Sequence, residues 1–520
     1  MPTISQNSKG GSILFDQNDW LAGLDTTTET DYPKFGLNNM MSKISPFRQY
    51  GYLAPSPLPT LVTNNAEVTG VPRNAVVNSD NAYIVCKNSL IHKLSTLSGG
   101  TISTTSPFPH TISHGAHTSI TGDDIAVYFT GTTKRVFYSF NDNTDWDVGI
   151  YNIVADTFDD DFMSTVPASP LAAPYLADGL GYPHPVIVGD DDILYIGDRN
   201  YVHAYDGQTG ANGTFYPAVL TLPKGWIITC FSSTQDINLA IGAYFQSSTN
   251  YSSTYNRGSA KVWVWNYLAL DPDYSRDLKD NYVSEIIQWN NTIAAFTSGR
   301  RTLYNSGVNK LQALNGSEFE VMQSWNSGGL PLRGGVDIAG TDIYWNSGGH
   351  IYSFVKRPDN GRYTFNRISG DPTAESGLMK FLTASGIIHY SYSASLYYMN
   401  SSYDYDSTFI SSIAQPAFDV RQMGRVKSVT VCFKNTFTGG RSFRIDTLLD
   451  GAGGVSTSGT ITASTNNRIK TFLTKADGTP IGDFNFLQTQ LVFPPGSAAT
   501  SSPIVSWVRY DFETVNVKTD

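Results

Sequence analysis

Asp192-Ile193-Leu194-Tyr195-Ile196-Gly197, then the turn Asp198-Arg199-Asn200, then Tyr201-Val202-His203-Ala204-Tyr205-Asp206 and Gly207-Gln208-Thr209-Gly210 is the stretch on which the fold turns. Two runs of alternating, β-branched and aromatic residues flank a polar turn, which is the pattern of a hairpin of period-two strands. A lone hairpin cannot bury both of its faces, so its meaning depends on whether the pattern recurs.

It recurs on both sides. Upstream lie Asn81-Ala82-Tyr83-Ile84-Val85 with Leu90 to Ser95, and Asp124-Ile125-Ala126-Val127-Tyr128 with Val136 to Asn141. Downstream come Asn238 to Gly242 with Lys261 to Asn266, Thr292 to Phe296 with Lys310 to Gly316, Asp342 to Trp345 with His350 to Phe354, and Gly386 to Tyr390 with Ser395 to Asn400. Successive copies begin roughly 42 to 55 residues apart, with one interval of roughly 68, and a four-stranded propeller blade takes about 40 to 50. Stacking such sheets around an axis buries their faces and leaves only short edges. The expectation is an all-β chain whose residues 61–414 form a β-propeller of six to eight blades, seven preferred. A pair of unrelated β-sandwiches is the rival, and the near-regular spacing counts against it. The quoted copy resembles the blade signature of quinoprotein-type and other large propeller families, a likeness of blades that implies no quinone.

The flanks differ. Residues 1–60 hold no copy: Ser12 to Asp16 and Trp20 to Leu24 are apolar anchors in polar surroundings, and Pro55, Pro57 and Pro59 close the stretch. This predicts an extended N-terminal arm, with Phe15, Trp20, Leu21 and Leu24 as assembly anchors laid on its own propeller or on a neighbouring subunit. Residues 415–520 carry short strands at Val429 to Phe433, Phe443 to Thr447, Phe484 to Phe486, Leu491 to Phe493 and Val505 to Tyr510, punctuated by glycine turns, which predicts a β-sandwich.

Composition limits the function. Charged residues are 15% against roughly 25% in an ordinary soluble domain, and aromatics are 13%. Net charge is −10, with no cationic run longer than a pair, which argues against direct nucleic-acid binding. No segment approaches the roughly 18 apolar residues of a membrane-spanning helix, so no membrane insertion is expected. Met1 to Gln6 lacks a charged and an apolar region, which predicts no secretory signal. Cys86, Cys230 and Cys432 are far apart in apolar contexts and read as buried small hydrophobes, neither disulfides nor zinc ligands.

The segment Gly424-Arg425-Val426-Lys427-Ser428-Val429-Thr430-Val431, a Gly-rich excursion, Phe484 to Leu491 and a closing Ile504 to Tyr510 resemble the sandwich that ends many tailed-bacteriophage virion proteins built on a propeller. The proline-closed arm and the Tyr/Gly/Ser-rich, low-charge texture are similar to phage tail and collar proteins. The resemblance implies a virion protein made in the host cytoplasm. Its partners would be other copies of itself and other virion proteins.

The candidate sites are few. His110, His114 and His117 are close enough to ligate Zn²⁺ or Fe²⁺ if a turn gathers them, but Pro109 and Gly115 favour a plain loop. Asp159 to Asp161, Asp190 to Asp192 and Asp271, Asp273 and Asp277 lack the spacing of a calcium loop and read as turns. Trp263, Trp265, Tyr390 and Tyr392 are the residues that would stack on sugars, against an ordinary place between blades. There is no nucleophile elbow and no Walker loop. The expectation is a non-enzymatic structural protein of a phage-like virion with no cofactor. The alternative is a glycan-binding or glycan-cleaving propeller that recognises a host surface.

Overall fold

The computed structural model describes residues 2–17, 40–42, 44–49, 52–55, 57–95, 100–115, 119–130, 133–141, 146–165, 182–207, 213–234, 236, 238–246, 259–299, 308–325, 329–357, 361–370, 377–382, 387–403, 407–411, 414–419, 421–437, 443–450, 455–456, 461, 468–493 and 503–516. Among them the protein is all-β, with short helical turns such as Asn65–Glu67 and Phe162–Thr165. Among the described residues no helix is long and apolar enough to cross a membrane.

Two compact units divide the chain: Thr60–His350 with Asp371–Tyr398, and Met1–Pro59 with Ile351–Gly370 and Met399–Asp520. Antiparallel sheets of sequential strand order follow one another along the chain. The first is built from Pro72–Asn78, Asn81–Cys86, Leu90–Ser95 and Thr101–Ile102, with His110–Thr111 added, and the second from Thr121–Thr130, Thr133–Asn141, Trp146–Asn152 and Thr157–Asp159. The third starts at Val186–Val188, the fourth at Trp226–Ser233, the fifth at Tyr282–Trp289, the sixth at Val336–Ala339 and the seventh at Met379–Phe381. The seventh takes Pro57–Leu61 as its outermost strand.

Each sheet buries its faces against its neighbours, as the repeat requires. Tyr83 and Ile91 of the first sheet share a core with Tyr138 and Phe140 of the second, and Phe137 and Trp146 of the second pack with Leu194 and Ile196 of the third. Ile228 and Leu239 of the fourth join Tyr195 and Val202 of the third. Leu378, Leu382 and Leu396 of the seventh pack with Ala75, Ala82 and Ile84 of the first. The array therefore returns on itself, which is the organisation of a β-propeller.

The second strands of the sheets start at residues 81, 133, 194, 239, 292, 342 and 388. Six of the seven hairpins read from sequence are second and third strands. The hairpin at Asp124 is instead the first and second strands of its sheet, which is why one interval looked too long.

In the other unit, one sheet runs Thr3–Asn7, Gly10–Phe15, Val505–Asn516, Gln422–Phe433 and Ile469–Phe472, with further strands off this path. A second runs Met40–Ser42, Ser407–Ile410, Leu487–Phe493, Arg444–Leu449 and Val455–Ser456. Buried Tyr510 of the first hydrogen-bonds Thr489 (2.9 Å) and lies 3.2 Å from the Thr447 hydroxyl of the second.

The N-terminal residues depart from expectation. Residues 3–15 form a hairpin whose second strand pairs with Val505–Asn516, Gly10 opposite Glu513 and Phe15 opposite Val508. They complete the C-terminal sheet as a paired hairpin and are not an extended arm. Asn7 makes the turn, its Oδ1 accepting from the backbone N–H of Lys9 (2.9 Å) and Gly10 (3.1 Å). A Cβ on Gly10 would sit 2.2 Å from the Phe512 carbonyl oxygen, and one on Gly11 2.1 Å from that of Ser5, so only glycine lets the strands approach. Phe15 is buried edge-on to Tyr510, with ring centroids 6.0 Å apart. Trp20, Leu21 and Leu24 lie outside the described residues.

Candidate functional site

The leading strands of the seven sheets surround a cavity of about 230 Å³, lined among others by Asn74, Asp124, Ser232, Glu285, Arg333 and Lys380. These polar groups arrive there for a local reason. Four leading strands carry a bulge at the same place, between Pro72 and Asn74, Gly122 and Asp124, Ile228 and Cys230, and Val283 and Glu285. A bulge leaves a backbone group outside the ladder. The side chain that resumes pairing covers the next residue's N–H: Asn74 accepts from Ala75 (2.8 Å), Asp124 from Ile125 (2.9 Å) and Glu285 from Ile286 (3.1 Å). Asp337 does the same for Ile338 (2.9 Å).

The second carboxylate oxygen reaches the neighbouring sheet. Asp124 Oδ2 accepts from Val186 N–H (2.9 Å), and Asp337 Oδ2 from Phe381 N–H (2.8 Å). Asn74 Nδ2 donates to Asp124 Oδ1 (2.6 Å), and Lys380 Nζ to the Val336 carbonyl (2.9 Å). Arg333, just ahead of the sixth sheet, crosses the cavity. Its guanidinium donates to Asp123 of the second sheet and to the Thr229 carbonyl of the fourth (3.1 Å), and its Nε lies 3.8 Å from Asp124 Oδ2. Asp123 also accepts from the His184 backbone N–H.

Burial and pairing set the ionisation of these groups. Burial opposes charge on Asp123, but Arg333 and the His184 N–H outweigh it, and the carboxyl lies below its ordinary range. For Asp124 burial outweighs Arg333 and the pKa is raised. Burial pushes Glu285 up to about 8, helped by Asp124 and opposed by Lys380 and Arg333, so it is a neutral acid at pH 7. Burial works against the charge on Arg333 too, and Asp123 and Asp124 reverse it, holding its pKa above the ordinary value. The cavity can thus brace the sheets through charge-assisted bonds, with Glu285 as a proton-holding group.

The residues singled out from sequence lie elsewhere. Asp160 gathers the His110 region: its carboxylate meets His110 Nε2 (2.8 Å), Ser113 N–H (2.9 Å), Ser113 Oγ (3.1 Å) and the Tyr138 hydroxyl. His114 turns instead toward Asp147 and Asp161, so His110 and His114 do not converge. His117 lies outside the described residues. Trp265 and Tyr390 are buried, which corrects the sugar-stacking expectation for them: Trp265 Nε1 donates to the Ala269 carbonyl (2.7 Å) and its ring meets Tyr195 edge-on, while Tyr390 stacks on Tyr397. Trp263 is half-buried, edge-on to Trp226 at 5.6 Å, and half-buried Tyr392 meets Tyr397 edge-on. Asp190 to Asp192 form the expected turn, with Asp191 accepting from the Tyr195 hydroxyl (2.6 Å). Cys86 and Cys230 are buried and burial raises their thiol pKa values, while Cys432 is half-buried.

Sequence reading missed the cavity residues. A signal existed, since Asn74-Ala75, Asp124-Ile125, Glu285-Ile286 and Asp337-Ile338 each place one polar acceptor ahead of an apolar run.

Fold and cavity together define a protein of the β-propeller class. No protein-family model matches the chain, and no curated protein matches it. Solved structures are similar over about two thirds of it. The computationally designed Ika8 protein is 11% identical (66% of this chain, 99% of that chain, TM-score 0.39). YCF48 bound to D1 peptide is 7% identical (66% and 95%, TM-score 0.40), and the β-propeller domain of Cps50 from Myceliophteria thermophila 7% (64% and 98%, TM-score 0.42).

Proposed function

We propose that the chain is a non-enzymatic structural protein of a phage-like virion, placed in the tail, collar or adsorption apparatus and acting through protein–protein assembly. In this reading the seven sheets are the blades of a closed seven-bladed propeller, and the two sheets of the other unit are a β-sandwich completed by the N-terminal hairpin. The axial charges of the propeller then serve to hold blades together, since Asp124 and Lys380 each bond a neighbouring sheet and Arg333 reaches across the cavity to the second and fourth sheets.

The observation that carries the reading is the strand Thr3–Asn7. It stands at the end of its sheet, all five residues are exposed, and it has no charged side chain and no proline. Natural sheets usually blunt such an edge, and one left plain is a template for a strand from another chain. Leu268 and Leu270 add a second contact point. They project almost fully exposed from a turn held by Asn266, whose Oδ1 accepts from Leu268 N–H (3.0 Å) and Ala269 N–H (3.1 Å).

The test is to raise antibodies to the purified chain and locate them on purified particles, in parallel with particles carrying Ile4→Lys, a charge on the exposed edge. Discrete labelling and poorer incorporation of the variant are expected. Particles that lack the protein altogether would sink the proposal.

A further inference from the structure

We infer that His114, Asp147 and Asp161 form a binding site for a divalent transition-metal ion, with Zn²⁺ the ion the donor set fits best. His114 lies in the connection between the first and second sheets, Asp147 at the start of the strand Trp146–Asn152, and Asp161 just past the strand Thr157–Asp159. One ligand atom from each lies within 4.8 Å of the other two. His114 Nε2 is 3.8 Å from Asp147 Oδ2 and 3.6 Å from Asp161 Oδ1. A hydrogen bond between these groups would bring one oxygen to about 2.7–2.9 Å, and a single N–H cannot serve two oxygens equally. Donor atoms bonded at about 2.0–2.2 Å around a tetrahedral ion stand roughly 3.4 Å apart, close to what is seen.

The surroundings hold the three groups in place. Asp160, next to Asp161, clamps the segment ahead of His114 through His110, Ser113 and Tyr138. Asp147 Oδ1 accepts from Val148 N–H (2.6 Å), which aims Oδ2 at the cluster, and the His114 ring rests edge-on against Phe140. The Asp147 side chain is 0% exposed, that of His114 19% and that of Asp161 53%, so solvent reaches the cluster at Asp161. Two carboxylates and an imidazole match the charge and softness of Zn²⁺, whereas Ca²⁺ takes six or more oxygens. Three protein ligands leave a fourth position for water. The ion would pin the inter-sheet connection to the second sheet.

The test is calorimetric titration of the chelator-treated full chain with ZnCl₂, with thermal melting in parallel. One Zn²⁺ per chain and a raised melting temperature are expected, with CaCl₂ giving neither. Asp161→Asn should weaken Zn²⁺ binding by about a hundredfold. Asp161 is exposed, so this variant should melt like the unaltered chain in EDTA. Asp159→Asn, two residues away at the end of the strand, should bind Zn²⁺ unchanged. Failure to bind Zn²⁺, equal loss in Asp159→Asn and Asp161→Asn, or equal binding of Ca²⁺ would each overturn the site.

Discussion

Glu285 is the residue whose chemistry is furthest from its type. Its carboxyl is buried at the cavity wall and its pKa is raised from 4.5 to about 8 by desolvation first, with Asp124 adding and Lys380 and Arg333 subtracting. A raised pKa in the folded chain means that the folded state holds the proton more tightly than the unfolded one. The stability tied to that proton is fully present below pH 4.5 and is lost as pH rises through about 8. Glu285→Gln keeps a carbonyl oxygen for the Ile286 N–H and removes the titration. Chemical denaturation of both proteins at pH 4.5 and pH 9 should find them nearly equal in acid. At pH 9 the variant should be more stable, by on the order of 4 kcal/mol. A difference that does not change with pH would mean that Glu285 is ionised in the fold or titrates as an exposed acid.

Among the elements, the N-terminal hairpin shows how packing follows from alternation. In Gly10–Phe15, Ile13 and Phe15 are wholly buried, Phe15 against Tyr510, while Thr3–Asn7 is exposed throughout. Phe15→Ala removes a buried ring beside a strand that it also pairs with, and should cost about 3–5 kcal/mol in urea unfolding of the full chain. A loss below about 1 kcal/mol would mean that the hairpin is dispensable to its sheet. The blade strands were legible because each is a run of alternating residues bounded by turns, as at Leu194–Asp198 and Tyr201–Asp206. The hairpin was not, because its partner Val505–Asn516 is almost the whole chain away and strand pairing leaves no local trace. The cavity was hidden for the same reason. Asp123 and Arg333 are 210 residues apart, and nothing near either one announces the other. The recurring polar residue ahead of an apolar run was visible, but bulge and turn residues share it.

At the largest scale, the repeated sheets depend on how the seventh meets the first. Neighbouring sheets share cores, so most of the array is held by contacts between elements close in sequence, and one junction must join the seventh sheet to the first. Residues 62–65 make it. Val62 N–H donates to the Leu396 carbonyl (3.1 Å), Asn65 Oδ1 accepts from Leu396 N–H (2.7 Å) and Asn65 Nδ2 donates to Ser395 Oγ (3.2 Å). On the other side Thr63 N–H donates to the Gly100 carbonyl (3.3 Å), Ile102 N–H to the Thr63 carbonyl (3.0 Å) and Asn64 Nδ2 to the Ile102 carbonyl (3.0 Å). Asn65 therefore closes a loop of 331 residues, and the entropy of that closure is what its bonds must offset. Asn65→Ala leaves the buried Leu396 N–H without its acceptor, a cost of about 1–3 kcal/mol. The opening should start where the ring is joined. Hydrogen exchange should quicken first in Asn81–Ser95 and in Ile388–Tyr392, while the amides of Leu239–Phe245, on the far side of the array, keep their protection. An equal loss of protection in all three would mean that the ring opens nowhere in particular, and no loss at all would mean that Asn65 is not its clasp.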